Sequence, residues 1–367
     1  FITSYAVLDF DHGLPTGFEM NDVYFGIDQH DYVAPPYPLE ELLGYEFYQG
    51  HTFRDANFDP DFPGTVSDLL YFYGLTKPAT EFDGVFAVNY SLLEDALEVL
   101  GKVRVGDMEL TAENVFESLE HYVSNIDRHN LEQIKDRKNI LKTLAKKVIA
   151  KAIFSPSKYR ALSELIAREL QAKTMILWFD RFENPYDSAF PAEPEGDFLA
   201  FVSANYGGMK TDRYIERNVR YFLEIDEDAV DGGHKLTGDL QIELLHTGSE
   251  NIPLSGQYSG YERVFLPKGT NLLNAFEGQY FEQNENHFVV GEVLELAPGE
   301  AKTLHYKYEL PPDVFDGESY KLRLQKQSGT LDHYSVYVRT PSGTSISSED
   351  FISKENTAAF EGILDKD

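Results

Sequence analysis

The chain of 367 residues contains no cysteine. Disulfides, thiolate metal sites and cysteine nucleophiles are therefore excluded, while the redox compartment stays open. Basic residues are scarce: 32 Lys and Arg stand against 62 Asp and Glu, a formal net charge of -30. A surface of that sign repels nucleic acid and anionic membranes over most of the molecule, so general DNA or RNA binding is not expected. No apolar run approaches the ~18 residues that span a bilayer, and the first residues carry no signal-peptide pattern. G-x-S-x-G, the P-loop and G-x-G-x-x-G are all missing, which removes the common hydrolase and nucleotide-binding signatures. No repeat of solenoid period occurs. Phe1 enters a strand-like sequence without an initiator Met, and the chain is read as a piece whose targeting or anchoring information lies upstream.

What is present is enough for two domains, each large enough to bury a core without staples. Phe82 to Val105, FDGVFAVNYSLLEDALEVLGKVRV, organises the first. Val85 to Val88 is an unbroken apolar run, predicting a central strand buried on both faces. Ser91 and Glu94 stand at capping-box spacing before Leu92, Leu93, Ala96, Leu97 and Leu100, and Gly101 predicts the helix end. Val103 and Val105 resume an extended pattern, so the expectation is strand, crossover helix, strand. Upstream, Asp11-His12-Gly13 marks a hairpin turn, and Phe53 to Pro63 reads as a polar, aromatic-rich loop beside the sheet. Downstream, a helix runs from about Leu131 to Ala152. Between Arg128 and Lys151 it gathers eight Lys or Arg against two acidic residues. Pro156 starts another helix, and 175–179 and 198–203 read as two more buried strands of the same domain.

From Asn205 onward the helical period gives way to alternation over 217–225, 240–245, 261–266, 288–296, 303–310, 320–325 and 334–338, which predicts an antiparallel, Ig-like β-sandwich. The expected division is an α/β domain over 1–207, the sandwich over 208–345 and a polar C-terminal segment over 346–367.

Few residue groups carry chemistry. Asp55, Asn57, Asp59 and Asp61 fall at alternate positions like a calcium loop, but an EF-hand needs Gly and Glu where this run has Pro60 and Val66. A hydrogen-bonded acidic turn, or a divalent ion shared with a phosphate, are the readings that remain. The basic helix allows either anion binding through Arg128 and Arg137 or lysines that simply face water. His121 and His129 lack metal spacing.

The order of Arg54-Asp55 in a loop, DGVFAVNYSLLEDALEVLGKVRV, and a helix with Asp136-Arg137-Lys138 is similar to that of the LytR–CpsA–Psr family of bacterial cell-wall phosphotransferases. More closely, RDANFDPDFP, DGVFAVN, DRK, NYGGMKTDRYIER and YKLRLQKQSGT resemble a bacterial family known as a domain of unknown function, of the DUF4012 type. The resemblance implies a LytR–CpsA–Psr-like α/β sheet domain before the sandwich and a cell-envelope protein acting on a lipid-linked pyrophosphate glycopolymer precursor. It implies catalytic roles for Arg54, Asp55 and Arg137, substrate contacts from Arg128 and Lys138, and Mg²⁺ on Asp55 and Asp59. It further implies an extracytoplasmic location, with a membrane anchor in the upstream part. Lys138 and Asn139 stand where those enzymes have further arginines, so both an active Mg²⁺-dependent phosphotransferase and a catalytically degenerate relative are implied outcomes. The alternative is a non-catalytic extracellular interaction protein that uses the acidic sandwich surface.

Overall fold

The structure is a computed structural model. It describes all residues except 1, 24–26, 28–30, 45–49, 79, 125–130, 184–188, 191–195, 208–209, 228–233, 253, 316–318, 331, 340–344, 353–356 and 364–367, with only the backbone described at 120, 123–124, 131–138, 227, 319, 345–352 and 357–363. In chain order the first elements are β1 (Ser4–Asp11), β2 (Leu14–Asp22), α1 (Leu39–Leu43), α2 (Phe62–Thr76), β3 (Gly84–Val88) and α3 (Ser91–Leu100). Then come β4 (Val103–Val105), β5 (Met108–Leu110), α4 (Val115–Ser124), α5 (Leu131–Ile153), α6 (Tyr159–Gln171) and β6 (Met175–Phe179). The strands that follow are β7 (Asp197–Asn205), β8 (Ile215–Glu227), β9 (His234–His246), β10 (Tyr258–Pro267), β11 (Asn271–Leu272) and β12 (Tyr280–Gln283). The last six are β13 (His287–Leu296), β14 (Ala301–Glu309), β15 (Ser319–Lys326), β16 (Asp332–Arg339), β17 (Ser345–Ile352) and β18 (Thr357–Ile363). The chain divides into one unit of Phe1–Ala34 with Gly50–Ser188 and a second of Pro35–Gln49 with Ala189–Asp367.

In the first unit the predicted Asp11-His12-Gly13 turn joins β1 to β2, with His12 and Gly13 both at positive φ as a tight hairpin turn requires. Tyr5 and Val7 of that hairpin pack with Val23, Phe53, Ala56, Phe72 and Tyr73. A second cluster sets Phe62, Val66 and Leu70 of α2 against Val85, Ala87, Ile176 and Trp178. A third gathers Leu97 of α3, Val103, Val105 and Leu110 of the β4–β5 hairpin, Val115 and Leu119 of α4, and Leu144 of α5. Ile140, Leu141 and Val148 pack against the same cluster, so α5 presents an apolar stripe at i, i+3, i+4 spacing to it.

The expected central strand is corrected here. Among the described residues β3 pairs only with β6, antiparallel, and β4 pairs with β5, so β3, α3 and β4 do not form a parallel crossover unit. Only Val85 and Ala87 turn toward α2, while Phe86 and Val88 are 52% and 57% exposed. An apolar run of four cannot distinguish a doubly buried strand from one with a bare face, because side chains alternate whatever their polarity. The capping box is also unformed: Tyr90 is the N-cap, and Ser91 is the first helical residue. Gly101, at φ 78, ends α3 as expected.

The second unit holds two six-stranded sheets, β12-β13-β10-β7-β15-β18 and β11-β14-β9-β8-β16-β17. One core joins them, drawn from inward residues such as Leu199, Val264, Val290 and Leu322 on the first sheet and Val219, Leu240, Tyr306 and Val336 on the second. The seven strands predicted by alternation are all present. Three points differ from the expectation. β7 belongs to this sandwich and not to the first domain, as its nearly continuous burial on both faces would equally allow. β15 runs parallel to β7 and β16 parallel to β8, so the sheets are mixed. Residues 345–352 and 357–363, read as part of a polar tail, form β17 and β18 along β16 and β15. Backbone pairing places both strands at sheet edges, the polar SISSEDFI and the mixed TAAFEGI alike.

Candidate functional site

Arg54 and Asp55 lie in a short 3-10 turn, Phe53–Phe58, that leads into α2. The turn is pinned from outside by Ile2 N donating to Arg54 O at 2.8 Å, and from inside by Phe53 and Ala56 in the core. Asp55 is buried; Thr52 Oγ1 donates to its Oδ2 at 3.1 Å and Arg54 Nε to its Oδ1 at 3.3 Å. The guanidinium itself is partly exposed. A carboxylate removed from water needs such donors, so Asp55 fixes both the turn and the arginine beside it.

Asp59 and Asp61 complete the turn, Asp59 through an Asx turn and Asp61 as the N-cap of α2. Asp59 Oδ1 accepts from Asp61 N at 2.9 Å, and Asp61 Oδ2 accepts from Gly64 N at 3.1 Å at the start of α2. Short acidic side chains supply both kinds of contact. Among the described residues no group of three or more His, Asp or Glu side chains is gathered in a metal-binding arrangement. Of the other residues named from the sequence, Arg137 and Lys138 fall in α5, where only the backbone is described, and Arg128 lies outside the described residues. Arg54 and Asp55 are thus brought together, and Asp59 closes the same turn.

Two further polar groups in this unit escaped the sequence reading. His51, just ahead of the turn, is buried with its ring edge against Phe72 at 5.1 Å, and its Nε2 lies 3.4 Å from Asp68 Oδ2 on α2. Its Nδ1 is buried and has no hydrogen-bond partner among the described residues. At the far end of β3, Asp95 of α3 meets Arg168 and Glu169 of α6. Arg168 reaches Asp95 at 3.5 Å and Glu169 at 3.1 Å, and Thr174 donates its hydroxyl to the buried Glu169. Burial first, then the Glu169 charge, push the Asp95 carboxyl above its ordinary value, with Arg168 pulling the other way. No local spacing announces either group, since their members come from different elements.

Residues 1–123 match the model of a protein family of unknown function, DUF4012. That stretch includes the Arg54–Asp55 turn, β3 and α3, and ends within α4. No curated protein matches the sequence. Solved structures with which the chain shares some likeness include a protein of Legionella pneumophila described as nutrient binding, 8% identical, covering 46% of this chain and 67% of that one at a TM-score of 0.27. Two structures of an M1 zinc metallopeptidase from Deinococcus radiodurans are 14% and 12% identical, covering 41% and 40% of this chain, with TM-scores of 0.22 and 0.21. The chain spans 39% and 38% of the length of those two peptidase chains. TM-scores this low carry no argument about fold or chemistry.

Proposed function

We propose that the chain is a cell-envelope protein that binds a lipid-linked pyrophosphate glycopolymer precursor outside the cytoplasmic membrane. Its first unit is read as a relative of the LytR–CpsA–Psr phosphotransferases and its second as an Ig-like support. The observation that favours this reading is the Arg54–Asp55 turn, in which a buried carboxylate orients a partly exposed guanidinium. Planar guanidinium groups are suited to phosphate oxygens, and one held in place loses less freedom on binding. Arg137 and Lys138, on the basic helix α5, and Arg128 before it would add charge to the same anion.

The proposed role is binding of the pyrophosphate by cationic side chains. Both oxygens of Asp55 already accept hydrogen bonds, and Asp59 serves the turn, so these two carboxylates fit a structural role better than a metal cradle. The test is isothermal titration of the full chain with a polyprenyl pyrophosphate, with and without Mg²⁺, for wild type, Arg54→Ala and Arg137→Ala. Binding by the wild type that weakens about tenfold or more in either variant is expected, as for loss of one charge-assisted contact. Absence of wild-type binding, or equal binding by all three proteins, would sink the proposal.

A further inference from the structure

The acidic chain has one long basic stretch that no carboxylate enters. Between Asp136 and Glu164 the sequence holds eight Lys or Arg and no Asp or Glu. This stretch covers most of α5, a 3-10 turn at Pro156–Lys158, and the start of α6. At the corner between the two helices stands Phe154, 82% exposed.

The corner is built to hold that ring outward. Phe154 N donates to Ala150 O at 2.9 Å, which completes the last turn of the helix, and Lys158 N donates to Ser155 O at 2.8 Å. The Tyr159 hydroxyl donates to the Ile153 carbonyl, closing the corner across its base, and the Tyr159 side chain is itself half exposed. Pro156, in the first turn of the 3-10 segment, fixes the chain's direction there. Cations gather on this end of the unit. Lys147 Nζ donates to Arg104 O at 2.6 Å, and Lys151 Nζ donates to Lys102 O at 2.8 Å, which sets two charges of α5 beside the backbone that carries Lys102 and Arg104. Among the described residues Glu109 pairs here with Lys102 and Arg104, and Glu164 with Arg160.

We infer that this corner docks on an anionic membrane surface, with Phe154 and Tyr159 entering the boundary between headgroups and acyl chains and Lys151, Lys158 and Arg160 meeting lipid phosphates. A phenyl ring held in water by fixed backbone hydrogen bonds gains only by entering an apolar medium. A tyrosine with an apolar body and a polar tip suits the interface, and long basic side chains reach the headgroups while their stems cover apolar surface. A polyanion such as nucleic acid would engage the same cations but leave Phe154 in water, so the exposed ring favours the bilayer. The acidic remainder of the molecule does not forbid such docking, because repulsion beyond about 8 Å is largely screened at physiological salt.

The test is co-sedimentation of the full chain with vesicles of phosphatidylcholine alone and of phosphatidylcholine containing phosphatidylserine. Binding to the anionic vesicles, weakened by salt, is expected for the wild type. Phe154→Ser should lower it about tenfold or more, as for loss of one inserted aromatic. Lys151→Glu with Lys158→Glu should lower it further, each lysine being worth about fivefold before charge reversal. Arg54→Ala should bind vesicles like the wild type. The exposed ring makes no core contact to lose, so the thermal midpoint of Phe154→Ser should match the wild type and show that folding is intact. Wild-type binding no stronger to anionic than to neutral vesicles, or Phe154→Ser binding as tightly as wild type, would overturn the inference.

Discussion

The two units bury polar groups on different scales. The sandwich gathers several charged and hydroxyl side chains into one interior network, whereas the first unit buries single carboxylates such as Asp55 and Glu169, each beside an arginine. In the sandwich, Ser203 donates to Glu262 Oε2 at 2.5 Å, Tyr258 donates to Oε1 at 2.6 Å, and Arg217 Nε donates to Ser203 at 3.1 Å. All four side chains are buried. Burial alone would lower the Arg217 pKa, but Tyr258, Asp332, Glu262 and Asp212 around it outweigh that effect and hold it above its ordinary value. Such a network specifies one arrangement of strands and offers little to a ligand. In the first unit Arg54, Arg168 and Phe154 are accessible, and both proposed binding surfaces lie on that unit.

The sharpest way to break the contrast is to remove a cation from the sandwich. Arg217→Met leaves Glu262 and Asp332 buried without their guanidinium and is expected to cost about 3–5 kcal/mol of stability, read by chemical denaturation. A loss below about 1 kcal/mol would mean that water reaches the network and that the sandwich interior is not closed.

The same interior predicts two opposed pH effects. Burial pushes Asp197 up to about 6, even though Tyr221 and Tyr320 donate to its Oδ2 at 2.6 and 2.5 Å and Phe198 N to its Oδ1 at 2.8 Å. Its folded value is raised, so its contribution is fully present below the unfolded value near 3.8 and is lost as pH rises through about 6. The loss amounts to about 3 kcal/mol. His287, buried among Phe190, Phe198 and Phe265, is pushed down to about 4 by burial. A histidine held neutral contributes stability above its ordinary value near 6.5 that is lost as pH falls through about 4. The two slopes overlap and oppose each other between about pH 4 and 6. Asp197→Asn should therefore unmask stability that climbs with pH in that window, and His287→Phe stability that declines with it, both followed by denaturation at several pH values. Unchanged profiles in both variants would show that neither group is shielded from water.

How much of this was legible in the sequence follows from where the information lies. Val219, Tyr221, Leu223 and Ile225 alternate with Arg220, Phe222 and Glu224, and a single buried face imposes that pattern, so the sandwich strands could be read one by one. β17 and β18 could not, because their place is set by pairing with β16 and β15 and not by their own composition. The Arg54–Asp55 turn was visible through its prolines and short acidic residues, which favour turns for local reasons. The Asp95–Glu169 and His51–Asp68 contacts were not, since each joins elements whose approach is decided by packing. The buried Ser203–Glu262–Arg217 network was missed for the same reason.

The smallest expected effect bears on β3. If Val85 to Val88 were the doubly buried centre of a parallel sheet, replacing Phe86 with serine would remove a core aromatic and cost about 3–5 kcal/mol. In the observed pairing Phe86 lies on the bare face of a two-stranded sheet, its ring edge-on to Phe179 at 5.8 Å and more than half exposed. Phe86→Ser is therefore expected to change stability by no more than about 0.5 kcal/mol, the usual range for a surface position. Val85→Ser, on the face that meets Phe62 and Val66 of α2, should cost about 1–3 kcal/mol, because a hydroxyl is left against apolar neighbours and packing is lost. A denaturation midpoint for Phe86→Ser as low as that of Val85→Ser would mean that something covers the outer face of β3, and the assignment of that face as open would fall.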